Sequence, residues 1–552
     1  MKREMGKFVF PVFASFLILT AFASASEAKT IYVPDDYEKI QWAVDNASAG
    51  DTIIVRDGTY VENVNVNKRL TIMSENGSDK TIVQAKNPDD HVLEVTADYA
   101  NISGFTVKGA IGSWKGGIYL ENVEHCNIIN NNASNNYHGI YLRYSFNNIL
   151  TNNTAISNND GGIYLLHSSN NTISNNNIIN NTNAVALSDS NYNAVTNNNC
   201  SYNRGDSIVT YSPSHNNLIV SNIANSNFIG ICIGSKDNVV SNNVAINNTY
   251  GIYNIYANNT EITNNICSRN KWGIDLWSSN YVLIANNTVK SNTVAGINLR
   301  AYSAYNTLTR NNIIDNKYGI HVENSLNNNI YLNNFINNIN NIYYSGYSTN
   351  IWNSREKITY TYNGIQYTNY LGNYWSDYKG SDADEDGIGD TPYIINGDKD
   401  EYPLIERFEN YFVPTPAKTF DTGRPENPYP SISGKFIGTI KTDKKIMATK
   451  LYTYACEGTG GHTEHALICN SSWCAEAKWE GYKGDWMNIS FNRTVVLMPH
   501  ETYNITIVTG SYPQIHHTSS LKTENGWINC TEFIDANGKK YEDWIPAIML
   551  WS

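Results

Sequence analysis

A tetrad of the form Gly-Ile-Tyr-Leu returns along the chain in steps of 21 to 23 residues, starting at Gly117, Gly139, Gly162, Ala184, Ser207, Gly230, Gly251, Gly273, Gly296, Gly319 and Asn341. A sustained period of this length means stacked units in a solenoid. A second apolar anchor follows each start by 10 to 12 residues, from Ile128 and Ile149 to Leu308 and Ile330, and Asn-Asn pairs separate the strands. Short β-rich runs exclude helical repeats, whose units are longer and rich in Ala and Leu. The residue after each start is β-branched, from Ile118 to Ile342. One β-branched residue per coil predicts an inward ladder. Asn at the corners tolerates left-handed backbone, and its amides can stack in hydrogen-bonded ladders. The expected architecture is a parallel β-helix, one coil per repeat, rising about 4.8 Å per coil. Less regular coils are expected between Asp51 and Gly109.

An open solenoid end exposes core and strand edges and needs a cap. Residues Asp36 to Ala47 read as an amphipathic helix with Tyr37, Ile40, Ala43, Val44 and Ala47 on one face, placed before Thr52-Ile53-Ile54-Val55 as the first strand. This cap, followed by Gly50-Asp51-Thr52-Ile53-Ile54-Val55, Gly58-Thr59-Tyr60 and the coils, resembles the NosD-type right-handed parallel β-helix family. That family belongs to the carbohydrate-binding and sugar-hydrolase repeats of pectin-lyase-like fold. Tyr370 to Leu404 resembles the end of such coils in archaeal surface proteins. The resemblance covers roughly residues 30 to 405. It implies the fold firmly and no single activity, because one scaffold hosts many.

A formal net charge of −12 and the lack of any basic run argue against nucleic-acid binding. Lys2, Arg3 and Lys7, the apolar run Phe8 to Phe22, and Ala23-Ser24-Ala25 read as an export signal over residues 1–25, with an uncleaved anchor as the alternative. The mature chain is therefore expected outside the membrane, at the cell surface. Disulfides are permitted there, and Asn-x-Ser/Thr sites such as Asn132, Asn247 and Asn488 are open to glycosylation.

The outward positions of the tetrad strand carry the candidate site. The late coils gather Tyr253, Trp272, Asp275, Trp277, Asn298, Arg300 and His321 on one face as candidate ligand-binding residues. Aromatic plates beside polar groups suit sugar rings. If the face is catalytic, Asp275, Arg300, His321 and Glu323 are the candidates. Inverting hydrolysis needs two carboxylates roughly 6.5–9.5 Å apart, and Asp275 and Glu323 stand two coils apart in different columns. This face shows none of the Asp-Asp, Gly-His-Gly and Arg-x-Lys patterns of pectin-degrading relatives. A third reading is a column of exposed Tyr that simply stabilises the sheet.

Asp382, Asp384, Asp386, the Ile388 carbonyl and Asp390 match the spacing of a Ca²⁺ loop, with Gly387 at its turn. Position 12 is Tyr393, so Asp398 or Asp400 would have to supply the missing oxygen. The expected role of Ca²⁺ is structural. The NosD resemblance also implies copper handling, but the solenoid histidines are scattered and the chain has 7 Met.

The repeat ends before a Pro-rich linker. The expected division is β-helix with its cap over 29–355, an end cap with the Ca²⁺ loop over 356–409, linker over 410–433, and a C-terminal β-sandwich over 434–552. Four Cys in that last domain, Cys456, Cys469, Cys474 and Cys530, most simply make two disulfides. The alternative is a Zn²⁺ or copper site on His462, His465 and His516. The sequence thus predicts an all-β, exported surface protein that binds polysaccharide or cell-envelope glycans, with other surface proteins as further partners. A polysaccharide hydrolase, lyase or epimerase, and a copper-handling protein, are the alternatives.

Overall fold

The computed structural model of the protein describes residues 28–363, 365–412, 419–482 and 485–552. The expected export signal over residues 1–25 and residues 413–418 of the expected linker lie outside the described residues. The chain forms two compact units: one runs to Thr359 and takes in Thr368–Phe408, and the other combines Tyr360–Tyr367 with Glu409–Ser552.

The first unit is a parallel β-helix of three strands per coil. His138–Arg143, Ile149–Thr151 and Thr154–Ile156 make one coil, and Gly161–Leu166 starts the next. Tetrad strands pair in register, Ile140 with Ile163 and Tyr141 with Tyr164. They build a 13-stranded tetrad sheet beside a 14-stranded sheet, while the third face is two six-stranded sheets. Period-2 alternation points the β-branched residue of each tetrad inward, and Ile118, Ile140, Ile163, Ile252, Ile274, Ile297 and Ile320 are fully buried. Each contributes roughly 1.5–3 kcal/mol of burial.

The Asn-Asn pairs divide their labour. The first Asn takes the left-handed conformation that turns the corner, as at Asn152, Asn242, Asn264 and Asn286. The second, as at Asn153, Asn243, Asn265 and Asn287, is buried inside that corner. The Asn243 N–H donates to Oδ1 of Asn265 at 2.9 Å, and Asn265 Nδ2 donates to the Val240 carbonyl at 2.9 Å and to Asn287 Oδ1 at 3.1 Å. Such columns satisfy the backbone groups that the corners leave without strand partners.

The ends differ in detail from the sequence expectation. The helix α1 covers only Ile40–Asn46, because Pro34–Asp36 form a turn. Glu62, from the following coil, accepts from the Ile40 and Gln41 N–H groups at 3.0 and 3.1 Å, so the first turn is capped across the fold. Thr52–Val55 is not the first strand: Thr30–Val33 precedes the helix and pairs with it in parallel. At the other end Trp375 stacks on Phe335 at 4.2 Å and on Tyr393 at 4.1 Å. Beneath it the fully buried Asp400 accepts from Trp375 Nε1 at 2.9 Å and from the Asn373 N–H at 2.7 Å. Burial pushes its carboxyl up to about 7.

The second unit is antiparallel, with long strands at Gly434–Thr442, Ile446–Thr453, Asn488–Leu497, Thr502–Gly510 and Gly526–Asp535. Phe420–Asp421 already pairs with Met549 and Leu550, so this sheet begins upstream of residue 434. Cys469 and Cys474 are bonded across a hairpin, while Cys456 and Cys530 are free, so the expected second bridge is not formed. Among the described residues no helix is long and apolar enough to cross a membrane.

Candidate functional site

Because tetrad strands stack in register, outward residues form columns. One column reads Tyr253, Asp275, Asn298, His321 and Tyr343. The column three residues earlier in each strand includes Tyr250 and Trp272, passes through Ala295, and resumes its rings at Tyr318. Trp277 pairs with Arg300 at the far end of the strand. The structure therefore brings together the late-coil residues that the sequence singled out, with Asn298 seated between Asp275 and His321.

Their contacts are specific. Arg300 donates to both Asp275 oxygens, Nε to Oδ1 at 3.0 Å and Nη2 to Oδ2 at 2.8 Å. Asp275 is fully buried although it points away from the core. Burial pushes its carboxyl up to about 6 against the opposing pull of Arg300, so the pair is ionised at neutral pH. The guanidinium lies over Trp277 at 4.2 Å, with Tyr253 at 5.8 Å and Trp272 at 6.0 Å. Planar stacking and a forked ion pair fix its orientation. His321 shares a 2.8 Å hydrogen bond between Nε2 and the Ser345 hydroxyl. Burial holds its pKa below the usual histidine range, so it is neutral at pH 7. Both Asp275 oxygens are engaged by Arg300, and Glu323 lies outside this column, two residues beyond His321 in its strand. The arrangement presents an oriented guanidinium and aromatic planes on one face.

The early coils carry a second cluster that the sequence reading left as a plain Tyr column. Tyr119, Tyr141 and Tyr164 are buried, not exposed. His91 lies flat on Tyr119 at 3.9 Å, Tyr119 meets Tyr141 at 5.0 Å, and Trp114 meets Tyr164 edge-on at 5.7 Å. His91 and His138 each accept a backbone N–H at Nδ1, from Gly116 at 2.9 Å and Gly161 at 3.2 Å. Burial pushes them down to about 4 and about 3, so both are neutral. A groove of about 450 Å³ runs past Trp114, Lys115, Tyr141 and Arg143. His138 was legible as the residue before the Gly139 tetrad, the column read only in the late coils. Trp114, Lys115 and His91 come from irregular segments outside the repeat.

The metal candidates separate cleanly. Asp382, Asp384 and Asp386 offer carboxylate oxygens within 4.8 Å of one another. Asp390 instead accepts from Ser381 Oγ and the Ala383 N–H, both at 3.0 Å. Ile388 bridges to Leu404. Asp398 and Asp400 are engaged elsewhere, Asp398 by Tyr344 and Trp352. His462 binds the Gly460 carbonyl, His465 binds Glu476 and His516 faces the Gly423 carbonyl. Those three histidines are not brought together. Among the described residues, the donors that converge are all hard oxygens, which suit Ca²⁺ and do not fit the nitrogen and sulfur preference of copper.

Comparison with known proteins completes the description. The family described as "Periplasmic copper-binding protein (NosD)" matches residues 44–231 and 206–380, together more than half of the chain. A "Cell surface glycoprotein" of Methanothermus fervidus is 39% identical over 119 residues, 21% of this chain and 19% of that protein. The chain thus matches about a fifth of that relative's length. Among solved structures, bacteriophage phi29 gene product 12 in its pre-mature form superposes with a TM-score of 0.50 at 13% identity, covering 63% of this chain and 58% of that one. The A-module of the mannuronan C-5 epimerase AlgE4 of Azotobacter vinelandii has a TM-score of 0.39 at 14% identity, covering 58% of this chain and 99% of that one. At these identities the likeness concerns the fold alone.

Proposed function

The chain belongs to the NosD family, and on that premise we propose that it is a cell-surface β-helix protein that binds glycans of the envelope on the outward tetrad face. The observation that carries this reading is the Arg300 guanidinium, pinned on buried Asp275 and flanked by the rings of Trp277, Tyr253 and Trp272. Sugar C–H faces stack on such rings while hydroxyls meet the fixed donor. The likeness to the Methanothermus cell surface glycoprotein supports the location. The donors that converge among the described residues are carboxylates, which favour Ca²⁺ over the copper that the family description names.

The test passes the full chain over immobilised neutral and acidic polysaccharides and follows released fragments by mass. Retention without fragments, lost in Trp277→Ala, is the expected result. Fragments that vanish in Asp275→Ala would make the protein an enzyme instead. The Asp382–Asp386 loop is proposed to take Ca²⁺ structurally, and calorimetric titration with Ca²⁺ before and after Asp384→Ala checks it.

A further inference from the structure

The late cluster contains something that a merely structural face has no use for. Asn298 is fully buried, yet neither its Oδ1 nor its Nδ2 makes a hydrogen bond. The amide approaches the Asp275 carboxylate closely enough to favour its ionised form, in a contact that falls outside hydrogen-bond geometry. One coil on, His321 Nδ1 is likewise buried and unpartnered. Buried polar atoms without partners are destabilising, and natural structures hold few of them. The ladder Asn265 shows the usual case, accepting twice and donating twice. His138 Nε2, Asn254 Oδ1, Thr309 Oγ1 and Asn329 Oδ1 are also unpartnered, but among the described residues Asn298 alone leaves two buried side-chain atoms unmet. Two unpaired groups on adjacent strands therefore mark a place where partners arrive from outside.

The cover over that place is identifiable. Ala295 leaves a gap between the rings of Trp272 and Tyr318 in the neighbouring column. The Trp272 ring reaches across it, 6.0 Å from the His321 ring and 6.0 Å from the Arg300 guanidinium. We infer that Asn298 and His321 form a subsite for two adjacent hydroxyls of an uncharged pyranose, entered when Trp272 swings aside. This rests on the glycan-binding reading and names the ligand class of that same face.

The chemistry of the groups selects the ligand. A carboxamide offers one acceptor and one donor side by side, and two vicinal hydroxyls answer both. His321 Nδ1 adds a third point. Asp275 and Arg300 cancel each other, and the Glu323 carboxylate adds negative charge beside them. A sugar carboxylate entering beside Glu323 would be repelled by it, so uronates are disfavoured.

The experiment uses methyl α-D-mannopyranoside, methyl β-D-glucopyranoside and methyl β-D-glucuronide as probes, by calorimetry and tryptophan fluorescence on the full chain. A neutral glycoside should bind at least tenfold more tightly than the glucuronide. Its fluorescence change should disappear in Trp272→Phe. Asn298→Leu should raise Tm while weakening the neutral glycoside at least tenfold. Asn265→Leu, which removes a paired amide, should lower Tm. A fall in Tm for Asn298→Leu would show that its amide is satisfied in the resting protein and would overturn the inference. So would unchanged glycoside affinity in that variant, or tighter binding of the glucuronide. Polysaccharide retention that persists while neither neutral glycoside binds would sink this subsite and leave the broader reading standing. Loss of both would sink the two together.

Discussion

The early and late coils build the same outward column on the same sheet and reach opposite results. In the early coils each ring is met by another ring, His91 on Tyr119 and Tyr119 on Tyr141, and both histidines use Nδ1 to accept a backbone N–H. That face fills its own space. In the late coils the column turns polar at Asp275, Asn298 and His321, and the neighbouring column is interrupted at Ala295. That face satisfies Asp275 fully and leaves both polar atoms of Asn298 and His321 Nδ1 unmet, where the early face leaves the single atom His138 Nε2. The scaffold is indifferent to the choice because inward Ile and corner Asn hold each coil regardless. Function can therefore be written on the outward column without disturbing the fold.

The comparison is tested hardest at Tyr141. Truncating this buried ring to Ala should cost about 4 kcal/mol of stability, as for large aromatic-to-alanine changes in cores. Chemical denaturation measures it. Polysaccharide retention should be unchanged, since the early rings serve one another. Loss of retention would erase the distinction between the two faces. Asp275→Ala is the late counterpart. It strands Arg300 in a largely buried place and should cost about 3 kcal/mol, the usual scale for breaking a buried pair. Here retention should fall along with stability.

The two faces should also respond oppositely to acid. Asp275 has a folded pKa raised to about 6 from 3.8. Its folded form holds the proton more tightly, so its contribution to stability is present below pH 4 and is lost as pH rises to about 6. His91 and His138 are depressed to about 4 and about 3 from 6.5. The unfolded chain binds their protons first, so their contribution grows as pH rises towards 6.5. Denaturation at successive pH values should show the stability gap between wild type and Asp275→Asn shrinking from pH 4 to 6, by on the order of 2 kcal/mol. The gap between wild type and His138→Gln should widen over the same window. Slopes of the same sign would mean that the faces are not electrostatically distinct.

The sequence exposed the solenoid because its signal is periodic. Eleven tetrads fix which residues point in, and the late column of Asp275, Asn298 and His321 follows from parity alone. Parity does not report what covers a column. Tyr119 and Tyr141 looked exposed and are buried, because Trp114 and His91 arrive from segments with no period. The bidentate grip of Arg300 on Asp275 was hidden for a related reason. It joins the far end of one strand to the middle of its neighbour, a diagonal that column-by-column reading does not sample. The Asn-Asn pairs announced corners, but only three dimensions separate the Asn that turns from the Asn that ties. The shortened α1 reflects Pro34 and the turn it opens.

The smallest effect on stability should carry the largest effect on binding. Trp277 is half-buried and its chief partner is the Arg300 guanidinium at 4.2 Å. Replacing it with Ala removes one cation–π contact but leaves the Asp275 ion pair to hold Arg300. The expected loss is about 1 kcal/mol, within the range for partly exposed pairs of this kind. Retention on polysaccharide should nonetheless be lost, because the ring that would stack against a sugar is gone while the fold is intact. Trp277→Phe should restore part of it by returning a smaller face. A Trp277→Ala protein that still binds as well as wild type would move the ligand off Arg300 and onto the early groove beside Trp114. The late face would then be the structural one, and the comparison between the two regions would reverse.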